Sequence, residues 1–228
     1  MQSAKVQRRS HTGKCKILVV DDHPIIREGM TMLINRESDL EVCANAEEAH
    51  AALLAIETQS PDLVLLDISL NGPDGLDLLK SIRSRNADLP VLMLSMHDEM
   101  QYADRALRAG ANGYIMKQEA TDKVLIAIRR ILGGEVYVSE RVANRMLQNM
   151  VGRSKLAEGS PLAALSDREL EVFRMIGEGR GTRQIAEELN LSIKTVETYE
   201  AHLKDKLGLR SARELVQYAI EWALTRDS

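Results

Sequence analysis

Short, nearly continuous apolar runs alternate with longer amphipathic stretches over the first 132 residues. The apolar runs cover residues 17–20, 40–44, 63–66, 91–94 and 113–116, and the amphipathic stretches lie near 25–36, 46–58, 75–84, 99–109 and 121–132. Runs without polar alternation are typical of parallel strands that helices cover on both faces. Five strand–helix units of this kind predict a doubly wound α/β domain, for which the flavodoxin-like strand order is one common form.

The pattern changes after residue 132. Gly133 and Gly134 interrupt the fifth helical stretch, and Ser139 can cap a short helix over 140–150. Residues 152–161 have no apolar periodicity and are rich in glycine, serine and charge, which is typical of a linker. Beyond this segment only helical periods follow, near 167–178, 182–189, 193–207 and 211–225, so the second domain is predicted to be all-α.

Local signals mark the ends of the later helices. Ser166 and Glu169 have the spacing of a capping box, Ser192 can cap the third of these helices, and Gly208 can end it in the left-handed conformation. The predicted segments are therefore a disordered basic tail at 1–14, the α/β domain at 15–138, a linker with a short helix at 139–161, and the helical domain at 162–228.

Composition narrows the class of protein. The chain has 228 residues, of which 44% are hydrophobic and 28% charged, as in folded globular proteins. No apolar stretch is long enough to cross a membrane, residues 1–14 lack the apolar region of a secretory signal, and two cysteines are too few for a disulfide scaffold. We therefore expect a cytoplasmic protein. The net charge is −4 and neither domain is basic overall, so DNA binding would have to depend on where the cations lie.

Polar side chains follow the predicted strands of the first domain. Asp21 and Asp22 end the first strand, Asp67 the third, Ser95 the fourth and Lys117 the fifth. The carboxyl ends of parallel strands meet at one edge of the sheet, where ligands bind in this fold class. Clustered carboxylates need a cation, and an all-oxygen site of this kind suits Mg²⁺ with a phosphate. A carboxylate can also form an acyl phosphate, which a lysine and a hydroxyl would stabilise.

The segments ILVVDDHPIIREGM, PDLVLLDISLNGPDGLDLL, VLMLSMHDE and GANGYIMK resemble the receiver domain of two-component response regulators, in particular the NarL/FixJ subfamily. The resemblance implies that Asp67 is the phosphorylated residue. It also implies a Mg²⁺ site and a set of switch and phosphate-binding residues. The implied metal-binding residues are Asp21, Asp22, Asp67 and the carbonyl of Ser69, and the implied switch and phosphate-binding residues are Ser95, Lys117, Tyr114 and Met96.

We make a separate prediction for two residues within these segments, Met96 and His23. Met96 stands where many receivers have a small residue, and we expect it to narrow access to the acceptor and slow the loss of the phosphoryl group. His23 follows the acidic pair but has no second histidine nearby in the sequence, so it is interpreted as a loop residue rather than a metal ligand.

The second and third helices of the helical domain have the arrangement of a helix-turn-helix, whose second helix enters the major groove of DNA. LSDRELEVFRMIGEGRGTRQIAEELNLSIKTVETYEAHLKDKLGL resembles the LuxR-type helix-turn-helix. Lys194 and Thr195 are implied to contact phosphates, whereas Glu197, Thr198 and Ala201 are implied to face bases. The nearby cations are expected to contribute phosphate contacts; they include Arg183, Lys204, Lys206 and Arg210.

The last helix, 212–224, resembles the dimerisation helix of such domains. Leu215 and Ala219 are assigned to that interface. Trp222 belongs either to the interface or to the core.

These observations predict a transcription factor whose DNA binding is controlled by Mg²⁺-dependent phosphorylation of Asp67 by a sensor histidine kinase. The expected partners are that kinase, promoter DNA and a second copy of the chain, with no membrane and no small-molecule substrate. We expect no enzymatic activity beyond phosphorylation and dephosphorylation of the receiver itself. Two alternatives stay open: a DNA-binding regulator whose receiver does not signal, and a phosphatase or phosphotransferase with the same sheet topology.

Overall fold

The computed structural model describes residues 13–70, 75–96, 99–150, 162, 165–189 and 191–224. Most of the predicted basic tail and of the linker lies outside these residues. The chain divides into two compact units, Met1–Met146 and Leu147–Ser228. Within the described residues, no helix is long and apolar enough to span a membrane.

The first unit is built on a five-stranded sheet. Its strands are β1 (Cys15–Val20), β2 (Leu40–Ala46), β3 (Leu63–Asp67), β4 (Val91–Ser95) and β5 (Gly113–Met116). The order across the sheet is β2-β1-β3-β4-β5, and every pair is parallel. This is the flavodoxin-like order, so the predicted fold class is confirmed. Every residue of β3 and β4 is buried, which explains why these strands have continuous apolar runs instead of alternation.

Helices follow the strands of this unit as the periodicity predicts. They are α1 (Pro24–Asn35), α2 (Ala49–Gln59), α3 (Gly75–Arg85), α4 (Glu99–Arg108), α5 (Ala120–Leu132) and α6 (Glu140–Met150). On one face of the sheet, Met30 and Ile34 of α1 share a core cluster with Val124 and Ile128 of α5. Helix α6 begins in the first unit and continues past Met146.

The second unit contains the helices α7 (Asp167–Gly177), α8 (Thr182–Glu188), α9 (Ile193–Leu207) and α10 (Ala212–Leu224). The predicted caps are confirmed. Ser166 and Glu169 form a capping box, Ser192 accepts a hydrogen bond from the backbone of Thr195, and Gly208 ends α9 with φ 68°. In the core, the ring of Phe173 lies 5.5 Å from that of Trp222.

Gly177 allows α7 and α10 to approach closely. A Cβ atom at this position would lie 2.5 Å from the carbonyl oxygen of Ala219, which is backbone and cannot move aside easily. We expect Gly177→Ala to destabilise this unit by about 1–3 kcal/mol, the typical cost of overpacking. The single tryptophan, Trp222, lies in this unit, so its fluorescence during urea unfolding of the full chain measures the effect.

The matched control for that measurement is Gly181→Ala. The nearest atom to a Cβ there is 3.9 Å away, and the backbone φ of −80° suits any residue. This variant should unfold within about 1 kcal/mol of the parent, since it changes only the residue that caps α8. Equal stabilities for the two variants would contradict the close packing of α7 on α10.

Candidate functional site: an acidic pocket and a helix-turn-helix

The strand-end residues of the first unit meet at one edge of the sheet. Asp21 follows β1 and Asp67 ends β3, and both carboxylates are buried, with exposed fractions of 1% and 0%. The Nζ atom of Lys117, just after β5, lies 2.7 Å from Oδ2 of Asp21 and 2.7 Å from Oδ2 of Asp67. One buried ammonium therefore connects the carboxylates of two strands.

Burial and charge act in opposite directions on these groups. Burial raises the pKa of Asp67, Lys117 partly offsets this rise, and Asp21 adds to it. Burial alone would lower the pKa of Lys117, but the attraction of Asp67 and Asp21 outweighs it and the pKa is raised. Lys117 therefore stays protonated, and its charge favours the ionised form of Asp67.

The donor set fits a divalent cation. Asp21, Asp22, His23 and Asp67 each offer a ligand atom, and these atoms lie within 4.8 Å of one another. Asp22 Oδ1 is buried and accepts no hydrogen bond from the part of the chain that the structure describes, although His23 Nδ1 lies 2.7 Å away. Three carboxylates beside one lysine leave excess negative charge, and oxygen donors of this kind suit Mg²⁺.

His23 lies closer to the pocket than its interpretation as a loop residue implied. Its backbone N–H donates to Asp21 Oδ1 at 2.9 Å, and its ring Nδ1 is 3.2 Å from the same oxygen. The ring is 60% exposed, so it contacts Asp21 and Asp22 while it stays open to solvent. The sequence signal was the position of His23 directly after the acidic pair.

The remaining predicted residues of the first unit lie around Asp67. The backbone N–H of Ser69 donates to Asp67 Oδ1 at 3.2 Å, which places the loop after β3 against the carboxylate. Ser95 ends β4, the strand next to β3, and is fully buried. Tyr114 of β5 is 1% exposed, whereas Met96 is 56% exposed. The effect of Met96 on phosphoryl loss stays a prediction.

Sequence analysis missed Gly75, the first residue of α3. Its N–H donates to the carbonyl of Ile68 at 2.8 Å, so α3 begins directly against the end of β3. A Cβ atom here would collide with the carbonyl oxygen of Asp67 and lie 2.8 Å from Cα of Ile68. Only glycine lets the helix approach the backbone of Asp67 and Ile68 this closely.

We expect Gly75→Ala to displace the acceptor and to slow phosphoryl uptake at Asp67 by at least about tenfold, because a misplaced nucleophile loses alignment. Gly29→Ala in α1 is the control, since nothing lies within 4 Å of a Cβ there. The rates of uptake from an acyl phosphate, followed by mass spectrometry, compare the two variants. Equal rates would show that Gly75 does not position Asp67.

The second unit presents an exposed polar face on α9. Val196 and Leu203 are fully buried against the other helices, whereas another face of α9 is open to solvent. The exposed positions that were predicted to face DNA are Lys194, Glu197, Thr198 and Ala201. Thr195 is half-buried, and its backbone N–H and hydroxyl both contact Ser192 at the start of the helix. Arg183 and Arg210 are exposed and Lys204 is half-buried.

Lys206 has a structural partner that sequence analysis did not identify. Its Nζ atom lies 2.6 Å from Glu169 Oε2, so it connects α9 to the capping box at the start of α7. The hydrogen bond from Lys206 lowers the pKa of Glu169 against the opposing effect of burial. This contact does not support the assignment of Lys206 to a DNA phosphate.

The residues assigned to dimerisation need a correction. Leu215 and Ala219 are 2% and 0% exposed, and Trp222 packs against Phe173 inside the unit. Side chains buried within one copy cannot contact a second copy, so the assignment of Leu215 and Ala219 to a dimer interface does not agree with the structure. The exposed apolar residues of α10 are instead Val216, Ile220 and Leu224. The helical period fixed which side chains share a face, but not which face the other helices cover.

Comparison with known proteins matches both units. Residues 17–129 match the family described as response regulator receiver domain, and residues 163–219 match the family described as bacterial regulatory proteins, luxR family. The oxygen regulatory protein NreC of Staphylococcus aureus is 37% identical over 210 residues, which cover 90% of this chain and 97% of NreC.

Solved structures agree with these matches. A LuxR-family two-component response regulator from Aurantimonas sp. SI85-9A1 is 34% identical with a TM-score of 0.57, covering 61% of this chain and 99% of that one. RcsB of Salmonella enterica serovar Typhimurium, bound to a promoter in the presence of the phosphomimetic BeF3-, is 25% identical with a TM-score of 0.55, covering 90% and 98%. The chain therefore belongs to the two-component response regulators of the NarL/FixJ type, which join a receiver domain to a LuxR-type DNA-binding helix-turn-helix.

Proposed function

We propose that a sensor histidine kinase phosphorylates Asp67 in a Mg²⁺-dependent reaction, and that this phosphorylation controls the binding of the helix-turn-helix to promoter DNA. The observation that carries the proposal is the buried arrangement of Asp67, Asp21 and Lys117, in which one ammonium lies 2.7 Å from both carboxylates. A receiver that had lost its signalling role would have no need to keep this costly buried cluster of charges.

The chemistry assigned to Asp67 is nucleophilic attack on a phosphohistidine. A bond forms between a carboxylate oxygen of Asp67 and phosphorus while the phosphorus–nitrogen bond breaks, and the departing imidazole takes up a proton. Lys117 favours the ionised form of Asp67 and then pairs with the phosphoryl oxygens. Mg²⁺ held by Asp22, Asp67 and the Ser69 carbonyl, with Asp21 acting through water, would neutralise charge on the transferred group.

Phosphorylated Asp67 is expected to shift the receiver from one conformation to another. Ser95 on the neighbouring strand supplies a hydroxyl for the phosphoryl oxygens, and the loop after β4 follows it inward. Tyr114 of β5 changes its position with that loop. The change of charge at Asp67 thereby alters the surface formed by α4 and β5.

The output is DNA binding through α9. In the proposed complex Lys194 and Thr195 contact phosphates, whereas Glu197, Thr198 and Ala201 face bases in the major groove. Arg183, Lys204 and Arg210 add phosphate contacts. A homodimer would bind paired half-sites. RcsB, a relative, has been solved as two dimers bound to two parallel DNAs. Chromosomal DNA as partner places the protein in the cytoplasm.

DNA affinity tests the proposal. The protein is first treated with Mg²⁺ and acetyl phosphate and used to select a duplex from a pool of random sequences. Fluorescence anisotropy of that duplex should show a Kd at least about tenfold lower after phosphorylation than before, a coupling typical of allosteric proteins. Equal affinities in the two states would favour the alternative in which the receiver does not signal. Continuous turnover of a small phosphoester without a protein adduct would favour the enzyme alternative.

A further inference from the structure

The segment that leaves α5 and leads to α6 adds to the edge of the sheet. The backbone N–H of Tyr137 donates to the carbonyl of Asn112 at 3.0 Å, and the N–H of Tyr114 donates to the carbonyl of Tyr137 at 2.9 Å. Tyr137 also forms a parallel bridge with Gly113. The segment is therefore hydrogen-bonded to β5 at the residue that the proposed function assigns to the switch.

The first turn of α6 is attached to a second element, α4. The hydroxyl of Ser139 donates to Glu99 Oε1 at 2.7 Å and accepts from the backbone N–H of Val142 at 3.2 Å. Further along the helix, Nη1 of Arg145 donates to the carbonyl of Met100 at 2.7 Å. Val142, between these two contacts, is 4% exposed. Ser139, at the start of α6, and Arg145, within it, thus contact the first two residues of α4.

The position of these contacts along the chain suggests what they do. Glu99 begins α4 four residues after Ser95, so we expect a movement of Ser95 toward Asp67 to displace the start of α4. Ser139 would then lose its acceptor, because a hydrogen bond weakens steeply with distance and angle. Helix α6 continues from Glu140 to Met150, beyond the end of the receiver unit at Met146. A displacement of its first turn would therefore move the whole helix.

We propose that Ser139, which caps α6, and Arg145 of α6 form a latch with Glu99 and Met100 of α4. The latch holds α6 on the unphosphorylated receiver and opens when Asp67 is phosphorylated. The inference rests on the proposed function and names the contact through which it is transmitted. The latch suits this purpose because the net contribution of each of its two hydrogen bonds to stability is small, so a modest change at the switch can break it.

A purely structural role for Ser139 is the competing explanation, since its hydroxyl also caps α6. Glu99→Ala separates the two roles, because it removes the partner on α4 and leaves the cap intact. Arg145→Ala removes the second contact. Arg141→Ala is the matched control, since Arg141 is an exposed arginine on the same helix.

Hydrogen exchange of the full chain tests the latch without reference to DNA. In the parent protein, amide exchange at Val142 and Ala143 should become faster on treatment with Mg²⁺ and acetyl phosphate, because the start of α6 loses its attachment. In Glu99→Ala and Arg145→Ala it should already be faster before phosphorylation, whereas Arg141→Ala should match the parent. A phosphoryl adduct without any change in exchange at these amides would overturn the latch and leave the proposed function standing.

DNA affinity supplies the second measurement. The quantity compared is the ratio of the Kd of the unphosphorylated protein to the Kd of the phosphorylated protein. This ratio should be at least threefold smaller in Glu99→Ala and Arg145→Ala than in the parent. It should stay at the parental value in Arg141→Ala. The double variant Ser139→Ala/Glu99→Ala should lose no more than Glu99→Ala alone if the two residues act through one contact. A parental ratio in both single variants would overturn the inference. A ratio of one in the parent, with exchange at α6 still responding, would overturn the proposed function instead.

Discussion

Asp67→Asn should take up no phosphoryl group under conditions in which the parent protein gains one. The amide is nearly the same size as the carboxylate but lacks the charge and the nucleophilic oxygen that the reaction requires. Incubation with Mg²⁺ and acetyl phosphate, followed by intact-mass spectrometry, measures the adduct. We expect a single adduct in the parent, its loss on chelation of Mg²⁺, and a complete loss of phosphorylation-dependent DNA binding in the variant.

Asp77→Asn is the control for this experiment. Asp77 lies in the first turn of α3, but its side chain is 60% exposed and paired with Lys80 rather than with the pocket. It should accept phosphate as the parent does. An adduct that persists in Asp67→Asn would place the acceptor elsewhere. No adduct in the parent, even with a cognate kinase, would support a receiver that does not signal.

Ala201→Glu should weaken DNA binding by roughly 100-fold, equivalent to about 2.7 kcal/mol. Ala201 is exposed in the middle of the α9 face assigned to the major groove, where a carboxylate would meet both base edges and phosphates of like charge. Glutamate is a good helix former, so α9 itself should persist. Anisotropy with the selected duplex measures the loss, and Trp222 fluorescence during urea unfolding confirms that the unit is folded.

Ala201→Gln separates the charge of the new side chain from its size. It should bind more weakly than the parent but more tightly than Ala201→Glu, because it adds bulk without a like charge. Ala201→Glu with parental affinity would show that this face of α9 does not enter the groove. The helix-turn-helix would then have to contact DNA through another surface.

Two lysines on α9 allow a finer comparison. Lys194 is exposed and its side chain forms no ion pair within the part of the chain that the structure describes. Lys194→Ala should therefore reduce the slope of log Kd against log salt by about one. Lys206 is paired with Glu169, so Lys206→Ala should leave that slope unchanged and instead lower the stability of the helical unit. Equal salt slopes in the two variants would contradict this division between a DNA contact and a structural contact.

Much of the fold and part of the site could be predicted because the signals are local. Continuous apolar runs identified β3 and β4, and short-range hydrogen bonds between neighbouring residues determined the caps at Ser166 and Ser192. The convergence of Asp21, Asp67 and Lys117 followed from one topological rule, that the carboxyl ends of parallel strands share an edge. The ion pairs of Lys117 with the two carboxylates agree with that rule.

Other features depended on contacts between residues far apart in the sequence. Lys206 and Glu169 are 37 positions apart, and Ser139 and Glu99 are 40 positions apart. No local pattern distinguishes Lys206 from a lysine that faces DNA, and none shows that Leu215 of α10 is buried while Val216 is exposed. These assignments require knowledge of which helix packs on which.

The sequence by itself determined the order and type of the elements, the residues at the strand ends and the polar face of α9, because periodicity and capping act within a few residues. Only the tertiary structure decided that Gly75 must lack a side chain next to the backbone of Asp67, that the ring of His23 contacts Asp22, and that α6 is attached to α4. The physical reason is that steric exclusion and hydrogen bonding depend on distances in space. The chain sets those distances only when it is packed.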